Sequence, residues 1–275
     1  MKTDRWTSVR VRTPTDRAAV ISALFEIGAE GVQELDDEII THFHDADEAR
    51  ITSALSRADS RARVEYAPTP SVDWSSQWRS RIAAHRVGRL VVSPPWLADQ
   101  FTESERIVIE PEMAFGTGEH ETTRGMLRLM QQVVSSGDVV ADLGAGSAVL
   151  AIAAAKLGAR RVVAIEIDAD AIGNAERNVL ANTVGDRVSV VEGDAFSLLP
   201  LLAPIRVALA NIVSSVLKEL LLTIGRALTS DGAAILSGIL VDEKTDMESA
   251  LRADGWHIVD AYEEGIWWTV TVARP

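Results

Sequence analysis

The chain has 275 residues, with 27 Lys plus Arg against 40 Asp plus Glu, a formal charge of -13. That length suits one or two domains with sizeable cores, and a 47% hydrophobic content excludes fibrous and disordered classes. The absence of cysteine excludes disulfide scaffolds, thiolate zinc sites and cysteine nucleophiles, while the acidic balance argues against a broad nucleic-acid surface. The longest apolar run, residues 148–155, is far shorter than the ~18 residues of a membrane helix. No apolar signal core follows Met1, so the expectation is a soluble cytoplasmic protein with no membrane or direct nucleic-acid partner.

In chain order, residues 6–12 alternate as a strand does, and residues 16–27 carry Val20, Leu24 and Ile27 at helical spacing before Gly28. Strands are expected at 32–35 and 38–43 around an Asp36-Asp37 turn, a helix at 46–55 and a strand at 62–66. This βαββαβ order is that of a ferredoxin-like unit, which makes residues 1–66 the first domain. Pro68 and Pro70 break the pattern, so residues 67–95 are assigned to a linker. It contains a connecting helix at 73–84, with Trp74 and Trp78 on one face as packing anchors.

Residues 96–275 form the second domain, in which strand-like and helical runs alternate. Strands are expected at 139–143, 161–167, 188–191, 207–210 and 233–239, helices at 122–133, 148–157, 169–182, 214–228 and 245–253, and a closing strand pair at 256–262 and 266–272. Such alternation predicts an α/β fold, an open, mostly parallel twisted sheet of Rossmann-like type with helices on both faces. Ligands of these folds sit at the carboxyl ends of the strands.

Four segments reach that end of the sheet with chemistry attached. Asp142-Leu143-Gly144-Ala145-Gly146-Ser147 is a strand entering a glycine turn, whose helix N-terminus offers free N–H groups. A dinucleotide fingerprint needs a third small residue at Val149, and Asp142 would repel a pyrophosphate. The same acid suits a cofactor bearing an amino acid and a sulfonium cation. Glu166 ends the next strand, spaced to accept ribose hydroxyls, and Glu192-Gly193-Asp194-Ala195 brings another acid to the strand after it. Asn211 follows the fourth strand; its carbonyl can receive an incoming amine, with capping of the helix near Ser214 as the plainer alternative.

Ahead of these lies residues 113–123, dense in small and hydroxyl side chains, where Phe115, Gly116, Thr117 and Gly118 can wrap a ligand and Thr122 and Thr123 can bond it or cap the next helix. His120 is the only histidine inside a motif; a loop-ordering role is favoured over a general base. His42 and His44 alternate on one strand near Asp45 and Asp47, for which a solvated strand end is preferred to a metal site. Trp267 and Trp268 adjoin on the last strand, one expected inward and the other outward.

Taken together, the blocks 115–123, 142–147, Ile165-Glu166-Ile167-Asp168 and Ala210-Asn211-Ile212 resemble the bacterial ribosomal protein methyltransferase A family in order and spacing. The segments Asp73-Trp74, Trp78-Arg79 and Pro94-Pro95-Trp96 are similar to the stretch joining that family's two domains. The resemblance implies a class I methyltransferase fold, S-adenosylmethionine as cofactor, and methylation of lysine side chains or the N-terminal amine of large-subunit ribosomal protein L-eleven. It implies cofactor contacts at Thr123, Gly144 and Glu166, Asn211 between cofactor and substrate as the catalytic group, and recognition of the ribosomal protein by the N-terminal domain. Phe115, Gly116, Thr117, Gly118, Thr122, Asp142, Gly146, Asp194 and Asn211 itself complete the candidate cofactor set, with no metal expected.

Two departures stand out. Glu166 replaces the family's commoner Asp, a conservative change. Ala148 replaces a usual third glycine, which would crowd the cofactor or, on a first helical turn, do no harm. The competing readings are a same-fold methyltransferase for another basic protein, a cofactor-binding module without catalysis, and a nicotinamide oxidoreductase. A monomer is expected, since no long heptad pattern is present.

Overall fold

The computed structural model describes residues 6–13, 16–29, 31–35, 38–44, 46–68, 82–111 and 118–274. The expected Asp36-Asp37 turn, Trp74 and Trp78, and the loop residues Phe115, Gly116 and Thr117 lie outside them. Of the connecting helix expected at 73–84, only 82–84 are described, and these are not helical. The chain divides into two compact units, Met1–Arg81 and Ile82–Pro275.

In the first unit the order is β1 (Trp6–Arg12), α1 (Arg17–Glu26), β2 (Val32–Glu34), β3 (Ile39–His44), α2 (Glu48–Ala58) and β4 (Arg63–Pro68). The strands form an antiparallel sheet ordered β2-β3-β1-β4. Both helices start on an aspartate cap, Asp16 accepting from the Ala19 N–H at 2.9 Å and Asp47 from that of Arg50 at 3.0 Å. Their buried faces, Val20 and Leu24 on α1 and Ile51 and Leu55 on α2, join Val9, Val11, Ile39 and Phe43 of the sheet in one core. This is the βαββαβ order that the periodicity predicts.

The second unit opens with a small sheet of β5 (His85–Val87), β6 (Leu90–Ser93) and β7 (Arg106–Val108). Residues 85–93 were assigned to the linker from sequence. Instead, their apolar side chains Val87, Leu90 and Val92 pack into the core of the second unit, which therefore begins near residue 82 and not 96. There follow α3 (Glu121–Val133), β8 (Val139–Leu143), α4 (Val149–Leu157), β9 (Arg161–Glu166), α5 (Ala169–Ala181), β10 (Val188–Glu192), α6 (Ala195–Leu202), β11 (Ile205–Asn211), α7 (Ser214–Ala227), β12 (Leu228–Leu240), α8 (Lys244–Ala253), β13 (His257–Glu264) and β14 (Trp267–Ala273). Only α6 was not expected; Pro200 within it disguises its helical character.

The main sheet runs β10-β9-β8-β11-β12-β14-β13, parallel from β10 to β12 and antiparallel at β14 and β13. Alternate residues of each parallel strand serve opposite faces: Val140, Leu209 and Ile235 meet α3, α4 and α5, whereas Ala141, Ala208 and Leu236 meet α6, α7 and α8. Strands buried on both sides require the near-continuous apolar runs seen in the sequence. Trp268 is wholly buried and Trp267 half-buried, the division expected for neighbours on one strand. Among the described residues no helix is long and apolar enough to cross a membrane.

Candidate functional site at the carboxyl ends of the strands

β8 ends in a turn that only small residues can make. Gly144 and Gly146 have φ of +73° and +51°. A Cβ on Gly144 would stand 2.5 Å from Cγ2 of Ile212, the residue after Asn211. The turn is fastened to β9, because the N–H groups of Gly144 and Ala145 donate to the Ile165 carbonyl at 2.9 and 3.0 Å. Glu166 adds a second tie, its Oε2 accepting from Gly146 N at 2.7 Å and its Oε1 from Ile167 N and Asp168 N at 2.8 and 2.9 Å. Oε1 thereby uses both its lone pairs while Oε2 keeps one, so Glu166 can order the turn and still accept one hydroxyl.

Beneath the turn lies Asp142, 1% exposed. Its Oδ2 accepts from Ala151 N at 2.9 Å, while Oδ1 is buried with no partner. Burial pushes the carboxyl up to about 7, the bond from Ala151 opposes the rise, and the Glu166 charge adds to it. A buried carboxylate oxygen without a donor costs free energy until a ligand supplies one.

Thr123 presents the same feature. It sits on the first turn of α3, fully buried, with its hydroxyl unpartnered. The helix cap is not Thr122 or Thr123 but His120, whose Nδ1 accepts from Thr122 N at 3.3 Å and lies 2.7 Å from the Thr122 hydroxyl. That ring also meets Trp267 edge-on at 5.1 Å, so the structure gives His120 the ordering role. Further along α3, a Cβ on Gly125 would lie 2.3 Å from Thr269 Oγ1 on β14. The Thr269 hydroxyl pairs with Ser237 at 2.7 Å, and Ser237 stands opposite Asn211 in the β11–β12 register. This line of contacts brings the start of α3 to the same end of the sheet as Gly144.

Asn211 ends β11 half-exposed. The cap of α7 is Val213 and makes no side-chain bond, so Asn211 is not spent on capping. Asp194, by contrast, caps α6, accepting from Phe196 N at 3.1 Å and from the Ser197 hydroxyl at 3.3 Å. Gly118, with φ +87°, lies against Val92; a Cβ there would be 2.7 Å from that side chain.

A cavity of about 550 Å³ opens beyond the ends of β8, β9, β10 and β11. Gly144, Ile165, Ile167, Asp194, Phe196 and Ile212 line it, with Val216 and Leu220 of α7 behind. Gly144 and Asp194 are thus the predicted residues that wall the cavity, and its apolar residues were not singled out from sequence. Also missed was a buried asparagine row on α5. Asn182 pairs with both the N–H and the C=O of Val108 at 2.8 and 2.6 Å; Asn178 accepts from Glu110 N at 2.9 Å and donates to the Ser147 carbonyl at 3.0 Å. Asn174, Asn178 and Asn182 recur every four residues on one face, a signal that was available.

Ala148 requires a correction. It is not on a helical turn but is the residue before α4, left-handed at φ +63°. Its methyl is fully buried in the core beneath α3, α4 and α5 and does not line the cavity. The cost of the substitution is therefore backbone strain and not obstruction.

Comparison with known proteins decides the family. The model described as "Ribosomal protein L11 methyltransferase (PrmA)" matches residues 16–275. The chain belongs to the PrmA family. A relative from Pelotomaculum thermopropionicum, named ribosomal protein L11 methyltransferase, is 35% identical across 95% of this chain and 96% of its own length. Another, from Synechococcus sp., is 37% identical across 74% of this chain and 70% of its own. Among solved structures, the ribosomal protein L11 methylase of Lactobacillus delbrueckii subsp. bulgaricus matches 70% of this chain and 99% of that one, with a TM-score of 0.64 at 29% identity. The seven-stranded unit is accordingly a class I methyltransferase fold, and the glycine turn, Glu166 and Asn211 fall on the blocks by which the PrmA resemblance was first drawn.

Proposed function

We propose that this chain is an S-adenosylmethionine-dependent N-methyltransferase acting on ribosomal protein L11, at lysine side chains or the N-terminal amine. The observation that carries the cofactor is the buried, unpartnered Oδ1 of Asp142 under the glycine turn. Such an oxygen favours a cationic donor and disfavours a pyrophosphate, which sets aside the nicotinamide reading. Ile167, Phe196 and Ile212 offer apolar walls for a flat ring, Glu166 receives a ribose hydroxyl at Oε2, and Thr123 gives its idle hydroxyl to the ligand. Bound there, S-adenosylmethionine supplies an activated methyl group on a sulfonium.

The chain's own residues then have to present a neutral amine in line. A lysine amine, with a reference pKa near 10.4, is almost wholly protonated at neutral pH, so the site must desolvate or deprotonate it. Asn211 orients the neutral amine through its side-chain carbonyl at the cavity's edge, which is a matter of alignment and not of proton removal. The -13 charge of the chain attracts a basic substrate and speeds encounter. The unit Met1–Arg81 recognises the ribosomal protein, and the enzyme acts in the cytoplasm as a monomer.

The test is the intact mass of L11 after incubation with the protein and S-adenosylmethionine. Gains in whole methyl units, reduced about a hundredfold in rate for Asn211→Ala with cofactor affinity retained, are expected for a lost alignment contact. Full turnover by Asn211→Ala would remove Asn211 from the mechanism. No mass gain by the unaltered protein would remove L11 as the substrate.

A further inference from the structure

Arg124, on the second turn of α3, holds more partners than any surface helix needs. Its Nε and Nη2 both reach Oε1 of Glu264, at 2.9 and 2.7 Å, its Nη1 donates to the Glu119 carbonyl, and Glu121 lies 3.8 Å away. Glu264 is the last residue of β13, 140 positions along the chain, at the turn into β14. Alongside, His120 leans on Trp267, the first residue of β14. Glu121 itself lies against the turn, since a Cβ on Gly265 would be 3.8 Å from its Oε1. Residues 119–124 are thus fastened to one hairpin turn at the edge of the sheet by a charged fork and an aromatic contact. Between these two fastenings lie Thr122, bonded to the His120 ring, and Thr123, whose buried hydroxyl has no partner.

We infer that Arg124 and Glu264 are positioning residues that hold the first turn of α3, and with it Thr123, in place for the cofactor; this rests on the S-adenosylmethionine reading above. Two carboxylates, Glu121 and Glu264, and the Glu119 carbonyl surround the single guanidinium, so removing Arg124 both frees the turn and leaves two like charges facing one another. The contact is partly exposed, with Arg124 at 23% and Glu264 at 31%, so it contributes little to global stability and its effect is local. A planar fork is specific to Arg, and Lys preserves only the charge.

Calorimetric titration of S-adenosylhomocysteine into the unaltered protein, Arg124→Ala, Glu264→Ala, the double variant and Arg124→Lys tests this. Each single alanine variant is expected to weaken binding about tenfold, the size of coupling usual for a close charged pair, with the double variant no weaker than either single. The KM for S-adenosylmethionine should rise with kcat and the KM for the protein substrate held, ligand-free melting should scarcely move, and Arg124→Lys should recover part of the affinity. Unaltered affinity in the single variants, or losses that add in the double, would overturn the clamp while leaving the cofactor reading intact. Failure of the unaltered protein to bind would overturn both.

Discussion

The two sides of the proposed cofactor site, the glycine turn and the start of α3, are built in opposite ways. On the β8–β9 side, order is local: the glycine turn bonds to Ile165 and Glu166, about twenty residues away on the neighbouring strand, and those bonds are internal to one βαβ unit. On the α3 side, order is imported. The start of the helix is set by Glu264, Trp267 and Thr269, and the backbone at Val108 and Glu110 by Asn182 and Asn178. A wall made of neighbouring strands is rigid once the sheet forms, whereas a wall hung on distant side chains can be loosened without unfolding the sheet. Substitutions should separate the two.

The largest effect is expected at the link between the walls. Asn178 is 1% exposed and joins the Glu110 N–H to the Ser147 carbonyl, next to the glycine turn. Asn178→Ala leaves both backbone groups without that partner, at about 1–3 kcal/mol each, so a loss of about 4 kcal/mol in chemical denaturation is expected. Asn178→Asp keeps the acceptor for Glu110 but not the donor for Ser147, and should fall between. A loss below about 1 kcal/mol for the alanine variant would show that the row on α5 does not join the walls.

Asp142 sharpens the comparison on the local wall, through pH. The unfolded chain releases this proton near pH 4 and the folded chain near 7. Between those values the unfolded state binds fewer protons, so ligand-free stability falls as pH rises from about 4 to 7 and is level above. Asp142→Asn removes the buried charge while an amide oxygen can still accept from Ala151. It should gain on the order of 3 kcal/mol at pH 8, lose the slope, and bind S-adenosylmethionine poorly. Cofactor affinity in the unaltered protein should conversely rise with pH up to about 7, as the ionised carboxylate meets its cationic donor. Parallel pH profiles of melting temperature for the two proteins would refute the assignment.

The same division governs what could be read from the sequence. The glycine turn, Glu166 and Asn211 were legible because each rests on a rule of short range: a strand's apolar run, a glycine at its end, a polar residue just past it. Most of both units' element order followed from periodicity, with α6 hidden by Pro200 and β5, β6 and β7 hidden because strands of three and four residues carry too few alternations to register. The ties of α3 were not legible. Nothing near Arg124 points to Glu264, because the sheet order that makes them neighbours emerges only when β14 inserts beside β12 and carries the β13–β14 turn with it. The cavity's Phe196 was missed with its helix.

Ala148 offers the smallest effect and the finest distinction. In a left-handed conformation a Cβ costs roughly 1–2 kcal/mol, so Ala148→Gly relieves strain. Against that, glycine gains freedom in the unfolded chain worth roughly 0.5–1 kcal/mol, and the fully buried methyl gives up roughly 0.8 kcal/mol of burial. The terms nearly cancel, and a net change under about 1 kcal/mol is expected from urea unfolding. Cofactor affinity should likewise stay within about threefold of the unaltered protein, because the methyl points into the core and not the cleft. A tenfold gain in affinity for Ala148→Gly would instead mean that the glycine turn is held away from its best ligand-binding shape by this one residue, and that the wall whose order is local is the more strained of the two.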